Sequence, residues 1–267
     1  MRYGLTICAA SVFAVLMSMA SAASALDSEG LIAAYPMNEG DGDEVKDISD
    51  NGYHGTLNGA DWYKGADAPT GGFAVEFTGG QSHMAADNVF SSLPNNAISM
   101  GAWFYLTNHL DYEGILSGSE GGKGTPPGNC CQYRIMVNPD FLPFFDAGTH
   151  KDVAVHGFTV EEERWYHYVM TIGDDKVFIY MDGENIHENV PASDPLPELA
   201  TPLLVGTGES AGRWPMTGYV DDVFVFDRVL SQEEVGEIMN EGLEGALSVS
   251  PKGKLASRWA ALKLQAR

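Results

Sequence analysis

Apolar residues come in short runs along this chain, most of them alternating with polar ones and each cut off by Gly, Asn or Asp. A period of two marks strands with one buried face, and the punctuation marks turns. The pattern predicts strands over Leu31–Pro36, Phe73–Phe77, Ala97–Leu106, Arg164–Gly173, Lys176–Gly183 and Pro202–Gly206, with Gly173-Asp174-Asp175 as a tight hairpin turn. Val223–Phe226 has no polar position and reads as a strand buried on both faces. One helix is expected. Ser231 followed three residues later by Glu234 is a capping box, Val235, Ile238 and Met239 give the apolar side, and Gly242 gives the end. Many short strands with one terminal helix predict an all-β fold: a two-sheet antiparallel sandwich with one short C-terminal helix. Leu110–Tyr133, with "GSEGGKGTPPGNCCQY" at its heart, reads as a long Gly-rich loop. Loops of that length in a compact sandwich commonly carry function.

Residues 1–25 stand apart. Arg2 precedes an apolar stretch from Leu5 to Ala20, and Ala20-Ser21-Ala22 and Ala23-Ser24-Ala25 both fit small-x-small cleavage. These features predict a signal peptide and a secreted protein, whether extracellular, cell-surface or periplasmic, with no transmembrane segment. Residues 26–243 are then the sandwich. Residues 244–267 are a basic tail, with Lys252, Lys254, Arg258, Lys263 and Arg267 and no acid after Glu244. The formal net charge of −22 argues against a nucleic-acid partner, since so acidic a chain repels phosphates. Without Cys8 of the signal, only the adjacent Cys130 and Cys131 are left. A vicinal disulfide, an intermolecular bridge or two thiols are all open to them.

Two aspartates, Asp221-Asp222, stand at the mouth of the most apolar strand. A buried carboxylate costs several kcal/mol unless it is paired, hydrogen-bonded or bound to a metal. A solvated strand end, a catalytic acid and a cation ligand are the three possible readings. Elsewhere Asp47, Asp50 and Asn51 crowd the turn "VKDISDNGYHG", where they serve either as Asx turns or as oxygen donors to calcium.

Four segments, in order, resemble a laminin-G-like domain of the concanavalin-A-like lectin/glucanase superfamily of the bacterial exported type. They are "LIAAYPMNEGDGDEVKDISDNGYHGTLNGADW", "GGFAVEFTGGQSHM", "ISMGAWFYL", and "RWYHYVMTIGDDKVFIYMDGE" continued by "GYVDDVFVFDRVLSQEEV". The resemblance implies a jelly roll of two curved sheets, non-catalytic in most members, with a structural Ca²⁺ near the joined ends. It implies Asp47 and Asp221 as side-chain ligands, with Asn51 and His54 in the turn that helps them. Side-chain alternation favours Asp221 over Asp222, because it places Asp221 on the face of Val223 and Val225.

The superfamily's glucanases carry Glu-x-Asp-x-x-Glu, and Glu39-Gly40-Asp41-Gly42-Asp43-Glu44 matches it formally. Alternating Gly and Asp make a poor strand, so the match reads as accidental and the chain as not an enzyme. Recognition is the expectation that follows: a carbohydrate-binding domain whose partner is an extracellular glycan. A protein-binding adhesion module is one alternative, and a glycoside hydrolase or lyase with an unrecognised active site is another. Sugars offer an apolar ring face and a polar edge, so stacking aromatics beside polar side chains are the residues to look for. Trp214, Tyr112 and Tyr133 are the candidate aromatics, with Asp111, Asn129 and Arg134 as polar partners alongside His109 and Glu113.

Overall fold

The computed structural model describes residues 26–65, 68–93, 96–118, 133–147, 150–173, 176–188, 196, 199–210 and 212–248. The expected signal peptide, Asn129, Cys130 and Cys131, and the tail from 249 on lie outside the described residues.

Two antiparallel sheets face each other. The first runs β14 (Glu184–Glu188), β13 (Lys176–Met181), β12 (Trp165–Gly173), β7 (Ile98–Leu106), β16 (Thr217–Phe226), β5 (Ala74–Thr78) and β4 (Asp61–Tyr63), with β1 (Leu31–Tyr35) paired to β16. The second runs β11 (His150–Ala154), β10 (Pro143–Ala147), β9 (Tyr133–Val137), β8 (Glu113–Gly118), β15 (Leu203–Val205), β6 (His83–Ala86), β3 (Gly55–Asn58) and β2 (Glu44–Val45). The sandwich is consistent with the jelly roll that the resemblance implied. Within the expected long loop, Glu113–Gly118 pairs as β8, so the segment starts as a strand.

Alternation along the strands builds two apolar layers. Met100, Ala102 and Phe104 of β7 meet Tyr166, Tyr168 and Met170 of β12 in the core between the sheets. The opposite face of the first sheet buries Val169, Phe224 and Phe226 under α1 (Gln232–Ser248) through Val235, Ile238 and Leu243. Each such side chain contributes roughly 1.5–3 kcal/mol through burial. The capping box forms reciprocally: the Ser231 N–H donates to Glu234 Oε2 (2.9 Å), and the Glu234 N–H donates to Ser231 Oγ (3.2 Å). Gly242 interrupts α1 instead of ending it. Its φ of 67° and ψ of 169° break the helix, and a further turn continues to Ser248, past the expected start of the tail.

The Glu39–Glu44 segment is mostly loop. Gly40 and Gly42 have positive φ, Asp43 O accepts from the Leu57 N–H, and Glu44 opens β2. Among the described residues no helix is long and apolar enough to cross a membrane.

Candidate functional site

The doubled acid sits where β16 changes neighbours. Thr217–Val220 pairs with β5, and Val223–Phe226 pairs with β1. The register against β7 slips between Asp221 and Phe224, so the strand carries a bulge. Asp222 takes up the slip with φ 48°, a left-handed conformation that Asp tolerates better than most residues. The bulge resets the alternation. Asp221 pairs with Trp103 on the outer face, whereas Val220 and Val223 both point into the core. The expected face for Asp221 was therefore wrong, because a period of two does not survive an inserted residue.

Asp221 and Asp222 are 0% and 1% exposed. Asp221 Oδ1 accepts from the Asp222 N–H (2.9 Å), and Oδ2 accepts from Thr70 Oγ1 (2.9 Å). Asp222 Oδ2 accepts from the Leu243 N–H (3.3 Å), which the break at Gly242 sets free. A Cβ at Gly242 would lie 2.9 Å from Thr70 and 3.1 Å from Asp222 Oδ2, so no larger residue fits this junction. Burial pushes both carboxyls up, Asp222 to about 7, and the charge of Asp222 raises Asp221 further.

Asp47 is engaged elsewhere. Its Oδ1 accepts from the N–H groups of Ala34 and Ser49 (2.9 Å each), and its Oδ2 accepts from Ser49 Oγ (2.7 Å) and the Tyr53 N–H (2.8 Å). Four donors fill the acceptor capacity of a carboxylate. His54 Nδ1 accepts from the Asp47 N–H, and Asn51 Nδ2 donates to the carbonyls of Leu31 and Ile32. Asp47, Asn51 and His54 therefore knit a turn onto β1, and they share no hydrogen-bond partner with Asp221. Among the described residues no group of three or more His, Cys, Asp or Glu is arranged to hold a metal. The expected Ca²⁺ set does not fit at its Asp47 end. Asp221 and Asp222 remain two buried acids that, among the described residues, take only hydroxyl and N–H donors and pair with no basic side chain.

A second cluster lies on the outer face of the second sheet. Along β9 the even positions Arg134 and Met136 face outward while Tyr133, Ile135 and Val137 face the core. Tyr133 is thus a core residue, fully buried with its ring 5.5 Å from Phe90, and does not belong among ligand-binding aromatics. Arg134 is opposite Asp146 of β10 and donates to it through Nε (2.6 Å) in a fully buried ion pair. The Arg134 guanidinium lies 4.7 Å from the Trp214 ring, and that of Arg213 lies 4.3 Å away. Tyr112 bridges Phe144 (5.2 Å) and Trp214 (5.7 Å). Trp214 holds φ 53°, an uncommon conformation for a bulky residue. It is maintained by the Gly114 N–H donating to Trp214 O and by Gly208, where a Cβ would meet the indole at 2.7 Å.

Glu113 borders this patch. It accepts from the N–H groups of Leu110 (3.4 Å) and Thr217 (3.0 Å), and burial raises its pKa to about 7. His109 donates from Nε2 to Asn138 O (2.8 Å), so its bare Nδ1 faces Glu113 Oε1 at 3.9 Å, and burial pushes its pKa down. Asp111 is exposed beside them. The structure thus brings together Tyr112, Arg134 and Trp214, with Asp111 next to them. Asp146 and Asp222 were missed as partners. Strand parity opposite Arg134 offered a signal for Asp146, and the doubled acid itself offered one for Asp222.

Solved structures share this fold. A sialidase from Trypanosoma rangeli in complex with 2,3-difluoro-KDN is 17% identical with a TM-score of 0.63, covering 88% of this chain and 36% of its own. Domain 4 of an extracellular GH43 arabinanase from Geobacillus stearothermophilus, in complex with arabinotriose, is 17% identical with a TM-score of 0.59, covering 78% of this chain and 98% of its own. The binding domain of Paraclostridial Mosquitocidal Protein 1 is 13% identical with a TM-score of 0.57, covering 79% of this chain and 52% of its own. The chain spans about a third of the sialidase chains it matches. No curated protein sequence matches it. The neighbours overturn the expectation that the chain is not an enzyme: sialidases and a domain of an arabinanase stand among them, so the fold does not set this chain apart from enzymes. A laminin G family model of the concanavalin A-like lectin/glucanases superfamily matches residues 77–236, and the chain belongs to that family.

Proposed function

We propose that this chain is an exported carbohydrate-recognition domain whose glycan lies across Tyr112 and Trp214. The observation that carries this reading is the patch itself. Two half-buried aromatics adjoin each other above a buried Arg134–Asp146 pair, with Arg213 over the Trp214 ring and paired through Nε with Glu209. The indole and phenol rings offer apolar surface for the C–H face of a sugar, and the guanidinium of Arg213 offers donors for its hydroxyls. The arabinotriose held by the arabinanase domain lends support from a neighbour of nearly the same extent. A divalent cation held by Asp221 and Asp222 would join β16 to the Thr70 loop and to the break in α1, stabilising the scaffold without touching the glycan.

Titration calorimetry with arabinotriose and a panel of neutral oligosaccharides tests the reading. Binding that weakens at least about tenfold in Trp214→Ala is the expected result, in line with the loss of a central aromatic anchor. Affinity unchanged in that variant overturns it. Leu110, 80% exposed at the edge of the patch, favours a protein partner as the second reading. A pull-down lost in Leu110→Ser while oligosaccharides leave Trp214 unmoved would select it.

A further inference from the structure

Glu113 ties together the two segments that carry Tyr112 and Trp214. It opens β8 of the second sheet, and it is buried at 3% exposure. Oε2 accepts from the Thr217 N–H (3.0 Å) where β16 of the first sheet begins, shortly after Trp214. Oε1 accepts from the Leu110 N–H (3.4 Å), just ahead of Tyr112. The two segments are not equally secure. Trp214 is also held by the Gly114 N–H at its carbonyl, and its neighbours Arg213 and Met216 bond to Gly208 and Gly206. For Leu110, Asp111 and Tyr112 the bond to Glu113 is the only hydrogen bond among the described residues.

The oxygen that holds Leu110 has a second partner within reach. His109 Nε2 donates to Asn138 O, which leaves Nδ1 a buried acceptor without a partner, 3.9 Å from Glu113 Oε1. An ionised carboxylate only accepts, whereas a protonated one has an O–H to donate. The carboxylate therefore suits the Leu110 and Thr217 N–H groups and has nothing to offer Nδ1. The acid suits Nδ1. Bonding there takes Oε1 about 1 Å toward the imidazole, away from a Leu110 N–H already at the long end of the range. Burial, with the charges of Asp111 and Glu162 acting in the same direction, lifts this carboxyl to about 7. Burial also holds the His109 pKa down, so the imidazole stays neutral while the acid titrates. Glu162, from the connection before β12, accepts from the His109 N–H (2.7 Å). From β9 the group faces Val137 and from β16 the Thr217 N–H, and neither titrates.

We infer that Glu113 is the positioning residue of the Tyr112–Trp214 face. As a carboxylate it holds Leu110 and sets the Tyr112 ring beside Trp214. With a proton it turns to His109 and lets the Tyr112 segment go. Its effect on sugar affinity rests on the glycan reading above, whereas its effect on the rings does not.

NMR on the full chain, below and above pH 7, tests the rings without any sugar. We expect the Leu110 amide and the Tyr112 ring signals to follow the midpoint of the Glu113 carboxyl carbon, and the Tyr112–Trp214 contact to weaken as pH falls. Glu113→Gln keeps the shape and offers an amide donor to Nδ1, so it should show the low-pH signals at every pH. In calorimetry the parent should bind arabinotriose at least about threefold more tightly above the midpoint than below it, the size of one modest hydrogen bond. The variant should bind at the weaker level with no pH response. Tyr112 signals that ignore the Glu113 midpoint, an affinity that is flat across it, or a variant that keeps the parent's pH response each overturn the inference. If the variant does not fold, the parent's own titration decides. Rings that titrate while no oligosaccharide binds at any pH overturn the glycan reading instead, and leave the hold of Glu113 on Tyr112 standing.

Discussion

Each sheet buries a pair of charged side chains on its outer face, and the two pairs are opposites in kind. On the second sheet, Arg134 and Asp146 are of opposite sign, directly opposite each other in register, and stacked under Trp214. On the first sheet, Asp221 and Asp222 are of like sign and adjacent in sequence, and only hydroxyl and N–H donors satisfy them. The first pair neutralises itself. The second can be neutral only by holding a proton or a cation, and the raised pKa of both acids expresses that demand. Burial costs both pairs desolvation. What differs is whether solution conditions can change the balance: pH acts on the acid pair, as a divalent ion would on the reading proposed above, and leaves the ion pair alone.

The largest effect should come from breaking the self-sufficient pair. Asp146→Ala removes the carboxylate that Arg134 holds at 1% exposure, and the cost should be about 3–5 kcal/mol in urea unfolding. The same operation on the like-charged pair, Asp222→Asn, removes a charge that burial opposes and should not destabilise the apo protein at pH 8. If Asp146→Ala costs less than 1 kcal/mol, the two pairs are not different in kind and the comparison fails.

Much of this contrast was open to sequence reading, and part of it was not. The hydrophobic period located most strands, and Ser231 with Glu234 located the helix start to the residue, because both signals depend only on near neighbours. The question raised by Asp221-Asp222 was the right one, yet the face expected for Asp221 was wrong. It rested on unbroken alternation, and the bulge that breaks it is set by β16 leaving β5 for β1, an event between distant segments. Asp47 was misassigned for a related reason. Its turn chemistry was legible, but the donation from Ala34 that completes its four bonds comes from another strand. Arg134 and Trp214 stood out as residue types, whereas the parity that turns Tyr133 into the core depended on where β9 begins.

A pH series sharpens the comparison next. The folded chain holds the Asp222 proton up to about pH 7, while the unfolded chain releases it near 3.8, the ordinary value for Asp. Between those limits the folded state binds more protons, so this group's stabilisation is complete below about pH 4 and is lost as pH rises to 7. Glu113, raised to about 7, acts with the same sign. His167, lowered to about 3 by burial, acts with the opposite sign, because its stabilisation is lost as pH falls below 6.5. Comparing the parent with Asp222→Asn cancels both. In chelator-treated protein the difference should grow by on the order of 3 kcal/mol in favour of the variant between pH 4 and 8. Ca²⁺ should reverse this at pH 8, adding about 2.7 kcal/mol at a hundredfold excess over its Kd in the parent and nothing in the variant. Melting curves that run parallel for the two proteins, with and without Ca²⁺, would remove the acid pair from the argument.

The smallest effect concerns the backbone that serves the pair. Gly242 interrupts α1 with φ 67°, and this frees the Leu243 N–H for Asp222 Oδ2. Gly242→Ala forces a side chain into that conformation and against Thr70, and should cost about 1–2 kcal/mol. A generic helix defect would cost the same at every pH. Here the substitution also disturbs a donor to the Asp222 carboxylate, and a carboxyl that loses a donor to its charged form holds its proton more tightly. The Asp222 titration, followed by the carboxyl carbon shift, should therefore move upward in Gly242→Ala. A midpoint that stays put while stability falls would mean that the break in α1 is only a feature of helix packing, and that the acid pair owes nothing to it.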